Sequence, residues 1–153
     1  MLRRMTIRKS LAILLVAAAA GCGGNDSSSS PGSPSSPATV NVTGAWFLTT
    51  GDLAWQLAQT GSTVTGTSQF SQDSGLIGPA TGRGTVTGTI ASGAVTFTDT
   101  YPVGSLSVPN CSIVASGTLT VSGNQMSGRF AAVNSCNGAV LGTENGTLIM
   151  TRR

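Results

Sequence analysis

Residues 111–136 read CSIVASGTLTVSGNQMSGRFAAVNSC, and the fold turns on how they pair. The Gly123-Asn124 pair suits the positive φ angles of a two-residue hairpin loop. A turn there sets Val121 opposite Met126, Leu119 opposite Gly128, Gly117 opposite Phe130, Ala115 opposite Ala132 and Cys111 opposite Cys136. Large side chains then face small ones. The cysteines meet at a non-hydrogen-bonded position, where Cα atoms approach to about 4.5 Å, near the short end of the disulfide range. A hairpin with a disulfide across its open end is expected.

The neighbouring sequence repeats the device. Leu57 and Gly66 flank Gly61-Ser62 as Leu119 and Gly128 flank Gly123-Asn124, and a turn at Ser92-Gly93 sets Gly88 opposite Phe97, Gly84 opposite Tyr101 and Ile90 opposite Val95. A ring lying over a cross-strand glycine stabilises such a pair. Apolar residues alternate with polar ones between glycine-containing turns, the pattern of half-buried strands. The reading is all-β, with eight strands at about 40–49, 53–59, 63–70, 83–91, 94–101, 111–121, 125–134 and 147–152. Three tight turns fall at one end. Longer links at 71–82, 102–110 and 135–146 fall at the other, with only 50–52 short there. That asymmetry suits an eight-stranded antiparallel up-and-down β-barrel with a furnished mouth.

Gly44-Ala45-Trp46 resembles the Gly-x-Trp signature on the first strand of lipocalins and other calycins. The resemblance implies a calycin-like barrel in which Trp46 packs across the closed end against a basic residue of the final strand, here Arg152. It covers a few residues of the chain.

The N-terminus carries different information. Arg3, Arg4, Arg8 and Lys9 precede an apolar run at 11–20, too short to span a bilayer, then small residues: the order of a secretory signal. The run ends Ala19-Ala20-Gly21-Cys22, which resembles the lipobox of bacterial lipoproteins. The resemblance implies a signal peptide over residues 1–21 and a lipid-modified Cys22. Gly23 stands where aspartate would retain the protein in the inner membrane, so the outer membrane is implied. Residues 22–37, rich in serine, glycine and proline, read as a disordered tether. Residues 38–153 form the barrel domain. With Cys22 lipidated, Cys111 and Cys136 remain as a pair in an oxidising compartment.

The formal charge of +3 comes from the N-terminal basic residues. In the domain Arg83, Arg129, Arg152 and Arg153 balance Asp52, Asp73, Asp99 and Glu144. No basic stripe is left to follow phosphates, so nucleic acid is not an expected partner. The sequence contains 0 histidines, which removes serine–histidine and cysteine–histidine catalysis and histidine-bound zinc. The four acids read as solvated residues at turns and strand ends. A hydrolytic carboxylate pair would need two of them to converge at the mouth. No catalytic residue, metal site or cofactor is expected, and the chain reads as a non-enzyme.

Binding is what remains. The registers turn Trp46, Trp55, Leu57, Val64, Phe70, Val86, Phe97 and Phe130, among others, inward. The leading expectation is a lipid-anchored envelope protein that binds a small apolar molecule at the long-loop mouth through Trp55, Phe70 and Tyr101, with Leu76 and Ile77 from the loop. An envelope protein partner is the alternative. A family of small bacterial metalloprotease inhibitors shares the barrel, the Gly-x-Trp strand and a disulfide, but its inhibitory arm is a free N-terminus. A structural lipoprotein with a filled core is a third reading. Labelling with radioactive palmitate is expected to mark the wild-type chain and not Cys22→Ala; label retained by the variant removes the anchor reading.

Overall fold

Alternating small polar and large apolar residues, punctuated by glycine turns, leave the chain one economical arrangement: strands that pair in sequence order and close on themselves. The computed structural model describes residues 40–153. The expected signal peptide (1–21), Cys22 and the tether lie outside the described residues. Eight strands follow: β1 (Gly44–Leu48), β2 (Asp52–Thr60), β3 (Thr63–Ser74), β4 (Gly78–Ala91), β5 (Ala94–Tyr101), β6 (Cys111–Ser122), β7 (Gln125–Cys136) and β8 (Ala139–Arg152). Each pairs antiparallel with the next, and β8 pairs with β1 to close the barrel.

The β6–β7 register is the one the turn implies, from Val121 opposite Met126 to Cys111 opposite Cys136. Only Gly123 needs a positive φ in that loop (56°), as in a glycine-first turn. At Ser92-Gly93 both loop residues are left-handed, the geometry that follows strand twist. Cys111 and Cys136 form a disulfide with Cα atoms 4.0 Å apart.

The distribution of loops is a correction to the sequence reading. Residues 71–82 and 135–146 are not long loops. They form the upper arms of β3–β4 and β7–β8, joined at 75–77 and at Asn137-Gly138. Their serine, glycine, asparagine and proline content has the composition of loops, because beyond the core neither face of an arm requires large apolar residues. Cross-strand pairing nevertheless continues through Ser74 opposite Gly78 and Cys136 opposite Ala139. Only 102–110 is a long link, and it is stitched to β4: Ser107 N–H donates to the Thr81 carbonyl at 2.8 Å, and Leu106 bridges to Gly82. The disulfide therefore braces one long link and one tight turn, not two long loops.

The first strand is also shorter than expected. Residues 40–43 cross the closed end, where Val42 is fully buried. Gln59 holds this segment, accepting from Val42 N–H at 2.9 Å and donating to the Val40 carbonyl at 3.1 Å. Trp46 donates its indole N–H to the Val42 carbonyl at 2.8 Å. The Arg152 guanidinium lies 4.6 Å from the Trp46 ring centre and donates to the Asn41 carbonyl.

Inside, the apolar residues form two clusters. The lower one, at the closed end, contains Val42, Trp46, Leu57, Val64, Leu119, Met126 and Met150; the upper one contains Phe70, Tyr101, Leu106, Ile113 and Ala132. Outside, threonines stand in cross-strand rows: Thr63, Thr89, Thr96 and Thr118 in one, Thr65, Thr87 and Thr98 in the next.

Closing a loop with a sequence separation of 25, the disulfide contributes about 3 kcal/mol. Cys111→Ser is expected to keep the fold and lower the melting temperature by about 10 °C. An unchanged transition by circular dichroism contradicts that contribution.

Candidate functional site

Between the two clusters the barrel is not filled. Trp55, Phe97 and Leu148 from below, and Phe70, Tyr101 and Ile113 from above, enclose a cavity of about 90 Å³. It also touches Gln72, which is exposed, so it opens on that side. The inward glycines do not make this space. A Cβ at Gly84 would lie 2.9 Å from Tyr101 Cδ1, and one at Gly82 would lie 2.7 Å from Phe70 Cε1. Those glycines make room for rings, and the rings turn edge to face: Phe70 and Tyr101 at 4.8 Å and 86°, Trp55 and Phe97 at 4.9 Å and 60°.

One wall of the cavity is a carboxyl group. Asp99 sits on β5 between Phe97 and Tyr101 with the same inward parity, and it is 2 % exposed. It is therefore not the solvated strand-end residue that its charge suggests. Three side chains meet it: the Trp55 indole N–H at 2.9 Å, the Tyr101 hydroxyl at 3.0 Å and Ser68 Oγ at 2.5 Å. All three are neutral. Burial raises the Asp99 pKa above its ordinary 3.8, and the hydrogen bonds from Ser68, Tyr101 and Trp55 oppose that rise. The Tyr101 phenol is pushed up in turn, first by burial and then by the charge of Asp99, so it stays protonated. Asp99 breaks the core in two because a buried carboxyl group needs polar neighbours.

A second carboxylate, Glu144, lines the upper part of the same cavity from β8. It accepts from Leu76 N–H at 3.1 Å and from the Ser74 hydroxyl at 3.3 Å, which latches the β3–β4 arm to β8 above short β1. Ser74 also reaches Asn134 Oδ1 at 3.3 Å, and Asn134 is fully buried. Two acids on one cavity raise the question of glycoside hydrolysis. The lumen, at about 90 Å³, is smaller than a cavity of about 150 Å³ that takes benzene, and a hexose has about twice as many heavy atoms as benzene.

Of the residues proposed to bind, Trp55, Phe70 and Tyr101 meet at this cavity. Leu76 is 41 % exposed and packs on Gly142 outside it, while Ile77 packs against the upper cluster. Trp46 and Arg152 are at the opposite, filled end. Sequence reading missed Ser68 and took Asp99 for a solvated residue, although the spacing Phe97-x-Asp99-x-Tyr101 puts the acid on the inward face. A scan of protein-family models and a search of curated proteins find no match to the chain.

The sign of the pH effect follows from the raised pKa. Folded Asp99 holds its proton more tightly than the unfolded chain does. Its contribution is full below 3.8 and is lost as pH rises through the raised value. Asp99→Asn removes that loss while keeping a group able to meet Trp55, Tyr101 and Ser68. The melting temperature of the variant relative to wild type is expected to rise as the pH is raised above 3.8 toward neutrality. A constant difference across that range contradicts the burial of a titrating acid.

Proposed function

We propose that this is a lipid-anchored, non-enzymatic protein of the bacterial cell envelope that holds one small ligand in the lumen of its barrel. The cavity walled by Trp55, Phe70, Phe97 and Tyr101 carries the proposal, because it is mostly apolar with a few polar groups in its lining and opens past exposed Gln72. The anchor rests on the lipobox-like Ala19-Ala20-Gly21-Cys22, and the outer membrane on Gly23. The chain enters the barrel at its closed end through residues 40–43, the end opposite the mouth. A non-enzymatic role is supported by the small lumen and by the three side chains that hold the Asp99 carboxyl group.

The size of the lumen bounds the ligand. At about 90 Å³ it is smaller than the cavity of about 150 Å³ that takes benzene. The occupant is a molecule of about five heavy atoms, or the end of a longer one. The sequence has two tryptophans, and only Trp55 lines the cavity. In the full chain held in phosphatidylcholine nanodiscs and labelled with 5-fluorotryptophan, 1-butanol is expected to shift the Trp55 fluorine resonance and leave Trp46 in place. Half-saturation should fall in about the millimolar range for so small a probe. Ala115→Leu, which fills the lumen, should abolish the shift. A response that survives the block, or no response in wild type, overturns the lumen as a binding site.

A further inference from the structure

Ligand choice in a closed lumen is set by what its walls already carry. Among the described residues, those lining this cavity include two acids, Asp99 and Glu144, and no arginine. Asp99 is 2 % exposed, and the three side chains that meet it are neutral donors, so none cancels its charge. Around it stand the rings of Trp55, Phe70, Phe97, Tyr101 and Phe130.

We infer that the lumen selects a small organic cation, an alkylammonium group seated on the Asp99 carboxylate within the aromatic wall. This rests on the reading of the lumen as a ligand site and names the class of ligand it takes. A buried carboxylate needs either a proton or a counter-charge. An ammonium group supplies the counter-charge and donates hydrogen bonds; Oδ1, with Ser68 as its one partner, has a lone pair to receive one. The faces of the rings attract the same cation. An anion would meet two like charges, and a neutral alcohol of equal shape could donate one hydrogen bond to the carboxylate but would bring no counter-charge. The volume matches an ammonium nitrogen with about four carbons. Glu144, half-buried beside the opening, offers a first carboxylate on the way in.

Three probes of one shape and different charge test this: n-butylammonium, 1-butanol and butyrate. Each is titrated into the full chain in phosphatidylcholine nanodiscs, with the Trp55 fluorine resonance as readout and empty nanodiscs as blank. Trp55 is the right reporter because its indole N–H donates to Asp99. The cation should bind at least about tenfold more tightly than the alcohol, with butyrate silent. In Asp99→Asn, with an unshifted Trp46 resonance as the check on folding, the preference should drop to about threefold or less while the alcohol still binds.

Equal binding of alcohol and cation to wild type overturns the cation inference and leaves the lumen site standing, with Asp99 holding a proton. No Trp55 shift with any probe overturns both. A preference that persists in Asp99→Asn also overturns the inference. Should that variant not fold, Ala115→Leu decides: the cation preference must disappear when the lumen is blocked, and its survival places the preference elsewhere.

Discussion

Closure of the barrel depends on the smallest seam in it. β1 and β8 share three residue pairs, Trp46–Arg152, Phe47–Thr151 and Leu48–Met150, against twelve along β6–β7. Without that seam the sheet would have two open edges, each a row of unpaired backbone groups. The seam is short because β1 has 5 residues, and it is held by contacts beyond the ladder. Arg152 lies over Trp46, and its guanidinium reaches the Asn41 carbonyl. Trp46 holds Val42, and Gln59 holds both Val40 and Val42. The segment entering the barrel is thus also its floor. Above β1 the ladder stops, and the β3–β4 arm crosses to Glu144 on β8 in its place.

A solid floor and an interrupted upper half follow from side-chain size and polarity. Near the floor, Trp46, Leu57, Leu119, Met126 and Met150 interdigitate with almost no exposure. Higher up, β4 offers Gly82 and Gly84 to the interior, and Phe70 and Tyr101 lie over them. Asp99 enters at the level between the clusters, with Ser68 facing it. A carboxyl group cannot be packed with methylenes on all sides, so space remains where Leu or Met would have filled it. The cavity and the acid have one cause.

Much of this architecture was legible in the residues. The β5, β6 and β7 strands begin where the turn glycines and Cys111 put them, and the large-against-small pairs across Gly117, Gly128 and Gly88 fix their register. The inward faces followed by parity. The arms did not, because Gly78, Pro79, Gly82, Gly142 and Asn145 are loop-forming residues. What keeps them in strands is continued pairing with a neighbour, which local sequence does not display. Asp99 was legible by parity, standing between Phe97 and Tyr101, but an acid in a strand suggests solvent. Ser68 as its partner, and the size of the space beside it, depend on how rings from β2, β3 and β5 meet across the lumen.

The threonine rows on the outer wall have a consequence for how the protein meets its surroundings. Hydroxyl groups of Thr63, Thr89, Thr96 and Thr118 hydrate that part of the sheet without giving it a field. Such a wall neither steers charged molecules toward itself nor repels them. Dissolved salt, which weakens attraction between exposed charges over about 10 Å, has little there to screen. Asp99 stands apart from that wall, inside, where low polarizability strengthens its interactions.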